Sequence, residues 1–220
     1  MKKILLATTV VALFSASSAF AAGVDLHPYV EGQIGWANPS DANMENLADG
    51  THASNGGATI TSGSLKSKPD SSVGVGVEVG LKDVLLPNLR LAVSDNYFRA
   101  KSKIVGSFVA GGSAQTVDND NGKSSINLMM VNAYYDFKND SSLTPFVGVG
   151  LGGWHNNSVK NTEFAWSLMA GAKYQVTSNI YVGAKASYFR LGGSSIPDSG
   201  TLKTADSNAY VINASVGYEF

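Results

Sequence analysis

The sequence contains no cysteine and only six prolines among its 220 residues. Without cysteine the chain forms no disulfide bonds and has no thiol to carry a lipid anchor. After the N-terminal segment, no apolar run reaches the roughly 20 residues that a membrane-spanning helix needs. These absences exclude a disulfide-stapled domain, a lipid-anchored protein and a helical membrane protein.

The N-terminal segment has the three parts of a secretory signal peptide. Lys2 and Lys3 are followed by the apolar run 4–14 and by the small-residue pattern Ala-Phe-Ala at 19–21. We therefore predict a signal peptide over residues 1–21 and a mature domain over 22–220. Removing the two lysines leaves 14 of the 16 basic residues against 17 acidic ones. This mildly acidic balance gives no indication of a nucleic acid partner.

Eight segments of the mature chain alternate apolar and polar residues, with the period of two that is typical of β-strands. They span 28–37, 71–81, 88–100, part of 123–137, 143–155, 161–176, 179–191 and 208–220. Each is long enough for the roughly 9 to 11 residues of a tilted spanning strand. An exported chain without a spanning helix crosses a bilayer only as a closed barrel. The sequence thus predicts an all-β fold, an eight-stranded antiparallel up-and-down transmembrane β-barrel.

The segments between these strands alternate in length. The short ones lie at 82–87, 138–142 and 177–179, and the others are polar stretches at 38–70, 101–122, 156–160 and 192–207, of which only 156–160 is short. Short periplasmic turns and longer extracellular loops are typical of outer-membrane barrels.

Aromatic residues concentrate at the strand ends and predict two girdles at the bilayer interfaces. The predicted periplasmic girdle is Tyr29, Tyr135, Phe137, Tyr174, Tyr181, Tyr218 and Phe220, and the outer one is Trp36, Phe98, Trp154, Phe164, Trp166, Tyr188 and Tyr210.

Several segments together resemble the small eight-stranded outer-membrane barrels, namely the OmpX and opacity-type surface proteins and the OmpA membrane domain. They are the signal peptide, the alternating strands, PFVGVGLGG at 145–153, AGAKYQV at 170–176 and the terminal YEF. The resemblance implies the outer membrane of a Gram-negative bacterium, contact with its lipid and lipopolysaccharide, and folding by the barrel assembly machinery. It also implies that Tyr218 and Phe220 form the assembly signal, and that extracellular loops contact a host or environmental ligand.

The strand residues opposite in parity to the apolar face are expected to point into the lumen. The charged ones are Glu31, Glu78, Arg90, Asp136, Lys173, Lys185 and Glu219. Because an eight-stranded barrel is only wide enough for side chains and buried charges persist when paired, we expect an ion-pair network that plugs the lumen. The alternative is a catalytic or transport cluster.

Three features of the sequence match known functional patterns only in part. GVGLGG at 148–153 fits the G-x-G-x-x-G pattern of dinucleotide sites, but no helix follows it. DNDNG at 118–122 is similar to a calcium loop without its closing glutamate, and its composition predicts an exposed turn. The spacing of His27, His52 and His155 indicates no catalytic triad. We therefore predict no enzyme, no catalytic residue, no cofactor and no metal site.

Three functions remain open at this point. The first is a structural and surface-interaction barrel that contributes to envelope integrity and binds or adheres through its loops. The second is a narrow porin-like channel for small solutes, favoured by the small and apolar inward residues Met130, Met169, Ser187 and Val211. The third is a lipid-acting outer-membrane enzyme.

Overall fold

The computed structural model describes residues 27–45, 60–156, 162–193 and 203–220. Within these ranges every regular element is a β-strand, and no helix is long and apolar enough to span a bilayer. The predicted signal peptide and His52 lie outside the described residues.

The strands are β1 (His27–Pro39), β2 (Ala42–Glu45), β3 (Ile60–Pro69), β4 (Ser72–Lys82), β5 (Leu89–Ala110), β6 (Ser113–Asp136), β7 (Leu143–Asn156), β8 (Glu163–Gln175), β9 (Ile180–Leu191), β10 (Lys203–Thr204) and β11 (Ser207–Glu219).

Eight of these strands close into an antiparallel ring in the order β5, β4, β1, β11, β9, β8, β7, β6, and β6 pairs with β5 to complete it. The predicted all-β, eight-stranded barrel is therefore confirmed. For six of the predicted strands, both the first and the last residue lie within two residues of the observed bounds. This agreement arises because one face of each strand meets lipid and the other meets the lumen, so apolar and polar residues alternate strictly.

The strands are strongly tilted. A path through directly paired residues, started at Asn38 on β1, passes once around the ring and returns to β1 at Pro28. This point is ten residues closer to the N-terminus than the start. A shear of this size in an eight-stranded barrel corresponds to a tilt of about 35 to 45°. With this tilt the exposed aromatic residues fall at two levels, with Trp36, Tyr97, Phe164 and Tyr210 toward the outside and Tyr135, Phe137, Tyr174, Tyr218 and Phe220 toward the periplasm.

Four of the aromatic residues predicted for the girdles face the lumen instead. Tyr29, Tyr181 and Phe98 are buried, and Trp154 packs against a buried apolar cluster. The girdle prediction was wrong for these residues because it considered only their nearness to strand ends. Strand parity places them on the inward face.

The strands β5 and β6 continue far beyond the predicted barrel and remain paired as far as Ala110 and Ser113. Gly111 and Gly112 close this hairpin with φ of 56° and 78°, the positive values that a type I′ turn requires. The strand β3 pairs with the outer half of β5, β2 pairs with β3, and β10 pairs with β2. The result is an extracellular sheet that the sequence did not predict.

The segment 118–122 belongs to this sheet. Asp118 pairs with Val105 and Gly122 pairs with Ser102, so the segment is part of β6. The predicted exposed turn is wrong here because sheet pairing overrides the turn preference of Asp, Asn and Gly residues.

Candidate functional site in the barrel lumen

The periplasmic part of the lumen contains a cluster of paired charges. The Arg90 Nε donates to the Asp136 carboxylate at 2.9 Å, and the Lys173 Nζ donates to the same carboxylate at 3.0 Å. Lys173 also lies 3.9 Å from Glu219, which accepts a hydrogen bond from the Lys82 Nζ at 2.6 Å. Two acids and three bases therefore alternate across the base of the barrel.

A second cluster surrounds Glu78 in the middle of the lumen. Its Oε1 accepts a hydrogen bond from the Tyr29 hydroxyl at 2.7 Å. Its Oε2 accepts from the Tyr134 hydroxyl at 2.7 Å, from the Lys185 Nζ at 3.3 Å and from the Asn132 Nδ2 at 3.3 Å. The carboxylate is thus compensated by one cation and by three neutral donors, which is the condition for a buried charge to persist.

Tyrosine rings connect the two clusters. The Tyr29 hydroxyl accepts a hydrogen bond from the Arg90 Nη1 at 3.2 Å while it donates to Glu78. The Arg90 guanidinium also lies 4.5 Å from the centroid of the Tyr134 ring, a cation–π distance. Arg90, Asp136 and Glu78 are only 1 to 2% exposed. The network is therefore continuous from the base of the barrel to its middle.

Glu31 occupies a different position from the other six predicted residues. It lies directly opposite Glu78 on the β1–β4 ladder, and its Oε2 accepts a hydrogen bond from the Tyr181 hydroxyl at 2.7 Å. Among the described residues, the other six each have an oppositely charged group within 4.0 Å, whereas Glu31 has none. Like charges directly opposite one another are destabilising, so the Tyr181 hydroxyl replaces an ion pair at this position.

Sequence reasoning missed several members of the network. With Lys82, four acids face four bases, whereas the sequence prediction counted only three bases. Lys82 has the same parity on β4 as Glu78, and it was missed because the predicted strand ended one residue earlier. Tyr29, Tyr134 and Tyr181 also share the inward parity of the charges, so parity was the signal that would have identified them.

One glycine makes room for the Tyr134 ring. Gly148 on β7 pairs directly with Tyr134 on β6, and a methyl group at this glycine would collide with the ring. The ring also makes an edge-to-face contact with Phe146 at 5.5 Å. The glycine therefore helps to hold the Tyr134 hydroxyl in place against Glu78.

The outer part of the lumen is apolar. Its buried residues are Ala37, Phe98, Leu128, Met130, Ala165, Phe189, Leu191, Ala209 and Val211. Trp154 packs against this cluster, and its indole N–H donates to the Gly192 carbonyl oxygen at 3.2 Å. The inward side chains of the outer half thus pack against one another as a hydrophobic core does.

A small cavity of about 10 Å³ separates the apolar cluster from the charged network. The Gln33 amide, the Ser187 hydroxyl and the Asn132 Oδ1 border it, and these polar atoms have no protein partner among the described residues. A volume of this size, about 10 to 15 Å³, is enough for one water molecule with polar partners.

The described parts of the other sequence motifs lie apart from one another. The segment 148–153 is part of β7, and a strand rather than a nucleotide-binding turn is what its context predicted. His27 begins β1 and His155 lies near the end of β7, which places them at opposite ends of the barrel. Within the described part of the chain, no group of three His, Cys, Asp or Glu residues is arranged to hold a metal ion.

Outside the spanning segments, one carboxylate connects the extracellular ends of β9 and β11. Asp206 accepts hydrogen bonds from the Gly193 backbone N–H at 2.9 Å and from the Arg190 guanidinium at 3.1 Å. These two donors hold the pKa of Asp206 below its usual range. Arg190 also donates to the Asn208 side chain at 3.0 Å, so its guanidinium is engaged on two sides.

Comparison with known proteins agrees with this architecture. Outer membrane protein PagN of Salmonella typhimurium is 28% identical over 228 residues, which cover 90% of each chain. Neisserial surface protein A has a TM-score of 0.54 at 19% identity, over 88% of this chain and 97% of that one. OprG from Pseudomonas aeruginosa has a TM-score of 0.58 at 13% identity, over 88% of this chain and 95% of that one. At these identities the two structures show the fold alone.

Residues 6–220 match the family described as outer membrane protein beta-barrel domain. The match covers almost the whole chain and agrees with the closed ring of strands. The chain therefore belongs to the outer membrane protein beta-barrel domain family and resides in the outer membrane of a Gram-negative bacterium.

Proposed function

We propose that this chain is a non-catalytic, non-conducting outer-membrane barrel that contributes to envelope integrity and presents an extracellular sheet for surface interaction or adhesion. The observation that carries the proposal is the filling of the lumen by two layers in series. A charged network closes the periplasmic half, and an apolar cluster closes the outer half.

The charged layer resists opening because its groups are buried. A solute passing along the axis would have to separate Arg90 from Asp136 or Lys185 from Glu78. Removing one partner from a buried pair costs about 3 to 5 kcal/mol. The apolar layer adds a second barrier, since ions entering it would lose hydration among side chains that are mostly apolar.

The extracellular sheet supports the surface role. It consists of β2, β3, β10 and the outer halves of β5 and β6, and its long hairpin is a direct continuation of two barrel strands. Binding residues are commonly carried by segments that a rigid scaffold positions. A paired sheet above the membrane is such a scaffold for a host or environmental ligand.

Planar bilayer recording of the folded full chain tests the closed lumen. We expect no channel events above the bare-membrane baseline, with a large porin as the positive control. A reproducible single-channel conductance from the wild type would contradict a closed lumen.

Attachment assays test the surface role. In a shortened variant, an Asn-Gly turn replaces residues 105–118, so that Ile104 and Asn119 become the last pair of the hairpin. We expect cells that express the wild type to attach to epithelial cells or extracellular matrix more than cells that express the shortened variant. Heat-modified migration on gels controls for barrel folding. Equal attachment of both strains at equal surface levels would contradict a role for this hairpin.

A specific observation keeps the narrow channel as a second candidate. The cavity beside Gln33 and Ser187 shows that the middle of the lumen contains polar atoms able to hold water. A channel would require the layers on both sides of this cavity to open. The bilayer recording therefore decides between the two functions.

Tyr218 and Phe220 form a pair suited to a recognition signal for the barrel assembly machinery. Both side chains are exposed at the periplasmic end of β11, and their rings lie 5.0 Å apart. We expect Phe220→Ala to lower the amount of barrel assembled in cells, with unassisted folding into vesicles little changed. An equal loss in cells and in vesicles would indicate a structural role only.

A further inference from the structure

Asp95 is a carboxylate on the lipid-facing side of the barrel. On the ladders it pairs with Val77 of β4 and Met129 of β6, which are outward-facing apolar residues. It lies two residues toward the membrane centre from Tyr97, a residue of the outer girdle. Its carboxylate accepts a hydrogen bond from the Asn127 Nδ2 at 2.7 Å. A polar pair therefore lies within the apolar band, where a charged group is unfavourable unless a partner compensates it.

A row of cations continues from this pair toward the outside. Arg99, Lys101 and Lys103 follow Tyr97 at alternate positions of β5, so they share its outward face. The Arg99 guanidinium donates to the Tyr97 hydroxyl at 3.3 Å. Lys68 of β3 lies directly opposite Lys103, which places two like charges side by side on the ladder.

Within the described part of the chain, one carboxylate lies close to this row. Among the described residues, the one acid within 4.0 Å of these cations is Asp118, which lies 2.8 Å from the Lys103 Nζ. Arg99 and Lys101 are exposed, and so is Lys68. The row therefore presents positive charge to whatever surrounds the barrel just above its outer girdle.

We propose that this outward strip, which runs from the lipid-facing pair Asp95 and Asn127 to the cations Arg99, Lys101, Lys103 and Lys68 above the outer girdle, binds one molecule of lipid A, the phosphorylated glycolipid of the outer leaflet. The cations lie at the level of the sugar phosphates, which they bind as charge-assisted donors. Asp95 and Asn127 lie just below, at the level of the amide and hydroxyl groups that lipid A carries on its acyl chains. The inference rests on the outer-membrane location and not on the closed lumen.

The charges favour a lipid over a second copy of the chain. In a twofold dimer through this strip the same surface would meet itself, so that the cations of the two copies would face one another. An anionic glycolipid has the opposite charge, and it also offers a hydrogen-bond donor to Asp95.

The opposite side of the barrel supplies a matched control. Arg190 lies on the outward face of β9, which is four strands from β5 in the ring in either direction. Its guanidinium is already bound by Asp206 and Asn208. Arg190→Gln therefore removes an outward cation near the same interface without touching the strip.

The test uses the folded full chain in nanodiscs of phosphatidylethanolamine and phosphatidylglycerol, with lipid A added as the probe. Retained lipid A is counted by native mass spectrometry for the wild type, the triple variant R99Q/K101Q/K103Q, Asp95→Leu and Arg190→Gln. We expect the triple variant to bind lipid A about tenfold more weakly or worse, since each basic residue near an anionic surface contributes to binding. Asp95→Leu should also bind less, and Arg190→Gln should match the wild type.

Two further measurements test which groups of the lipid and of the protein are responsible for binding. Lipid A that lacks one phosphate should bind the wild type more weakly and should be less sensitive to the triple substitution. Asp95→Leu should raise the resistance of the barrel to urea in plain phospholipid, which separates its loss of lipid A from misfolding. Equal retention by the wild type and the triple variant would overturn the proposal. So would equal displacement of lipid A by phosphatidylglycerol, or a change in oligomeric state in place of a change in bound lipid.

Discussion

Replacing Arg90 with alanine removes the cation that connects both parts of the lumen network. The substitution deletes the 2.9 Å pair with Asp136 and the 3.2 Å hydrogen bond to the Tyr29 hydroxyl. It also removes the guanidinium that lies 4.5 Å from the Tyr134 ring centroid. Asp136 keeps Lys173 as its one remaining cation within 4.0 Å among the described residues.

The expected loss follows from these contacts. Breaking a buried ion pair by removing one partner costs about 3 to 5 kcal/mol, because the other charge stays buried and uncompensated. Lys173 still neutralises part of the Asp136 charge, so we expect the cost of breaking this pair to lie at the lower end of that range. The lost cation–π contact adds about 0.5 to 2 kcal/mol. We therefore expect the free energy of unfolding to fall by about 3.5 to 5 kcal/mol.

Urea unfolding of the folded barrel in lipid vesicles, followed by tryptophan fluorescence, measures this loss. Bilayer conductance is recorded for the same preparations, because a weakened network is expected to open a leak. Arg190→Ala is the matched control, since its ion pair with Asp206 is exposed and such pairs contribute only about 0 to 1 kcal/mol. Arg90→Lys should give an intermediate result, because lysine keeps the charge but loses the planar donor geometry.

Water that already solvates the lumen charges would make this loss small. In that case Arg90→Ala would leave the unfolding curve almost unchanged. A wild type that conducts, together with a mutant that differs only in ion selectivity, would refute the plug and establish the channel.

Three smaller perturbations test other parts of the structure. Leu168→Arg on the lipid-facing side of β8 should cost about 2 to 4 kcal/mol in urea unfolding, whereas Val176→Arg near the periplasmic interface should cost about 0 to 1 kcal/mol; equal costs would mean that the assigned depth is wrong. Gly148→Ala should lower the unfolding free energy by about 1 to 3 kcal/mol because the new methyl group displaces the Tyr134 ring; an unchanged value would show that the ring moves freely. The pKa of Asp206 is lowered, so its hydrogen bonds stabilise the fold fully above the ordinary aspartate pKa of about 3.9 and are lost only as the pH falls through the lowered value. Hydrogen exchange of the backbone amide that donates to Asp206 should therefore stay slow at pH 4. Fast exchange of this amide at pH 4 would contradict the assignment.

The sequence predicted the barrel strands well where one face of a strand meets lipid and the other face meets the lumen. Along β9, for example, Val182 is exposed and outward while Tyr181 is buried and inward, and the predicted strand starts within one residue of the observed one. Above the membrane this contrast disappears, because both faces of the extracellular sheet meet water or other polar groups. The outer half of β5 therefore shows no regular alternation, and its strand structure depends on pairing with β3 and β6.

Inward charges were predictable from parity, but their partners were not. Which base meets which acid depends on the shear of the barrel and on the reach of each side chain. Lys173 on β8 binds Asp136 on β6, two strands away in the ring. No spacing along the chain encodes that contact, because it arises only when the sheet closes.

Two features of the sequence make opposite predictions for Tyr29. Nearness to a strand end predicted a lipid interface, whereas its parity with Glu31 predicted the lumen. Parity is the stronger constraint, because a slip of one residue would turn every side chain of β1 to the other face. Such a slip would expose Glu31 to lipid and bury Trp36. The lumen position of Tyr29 is therefore a consequence of its charged neighbour, and it places a hydroxyl between Arg90 and Glu78, where the two parts of the network meet.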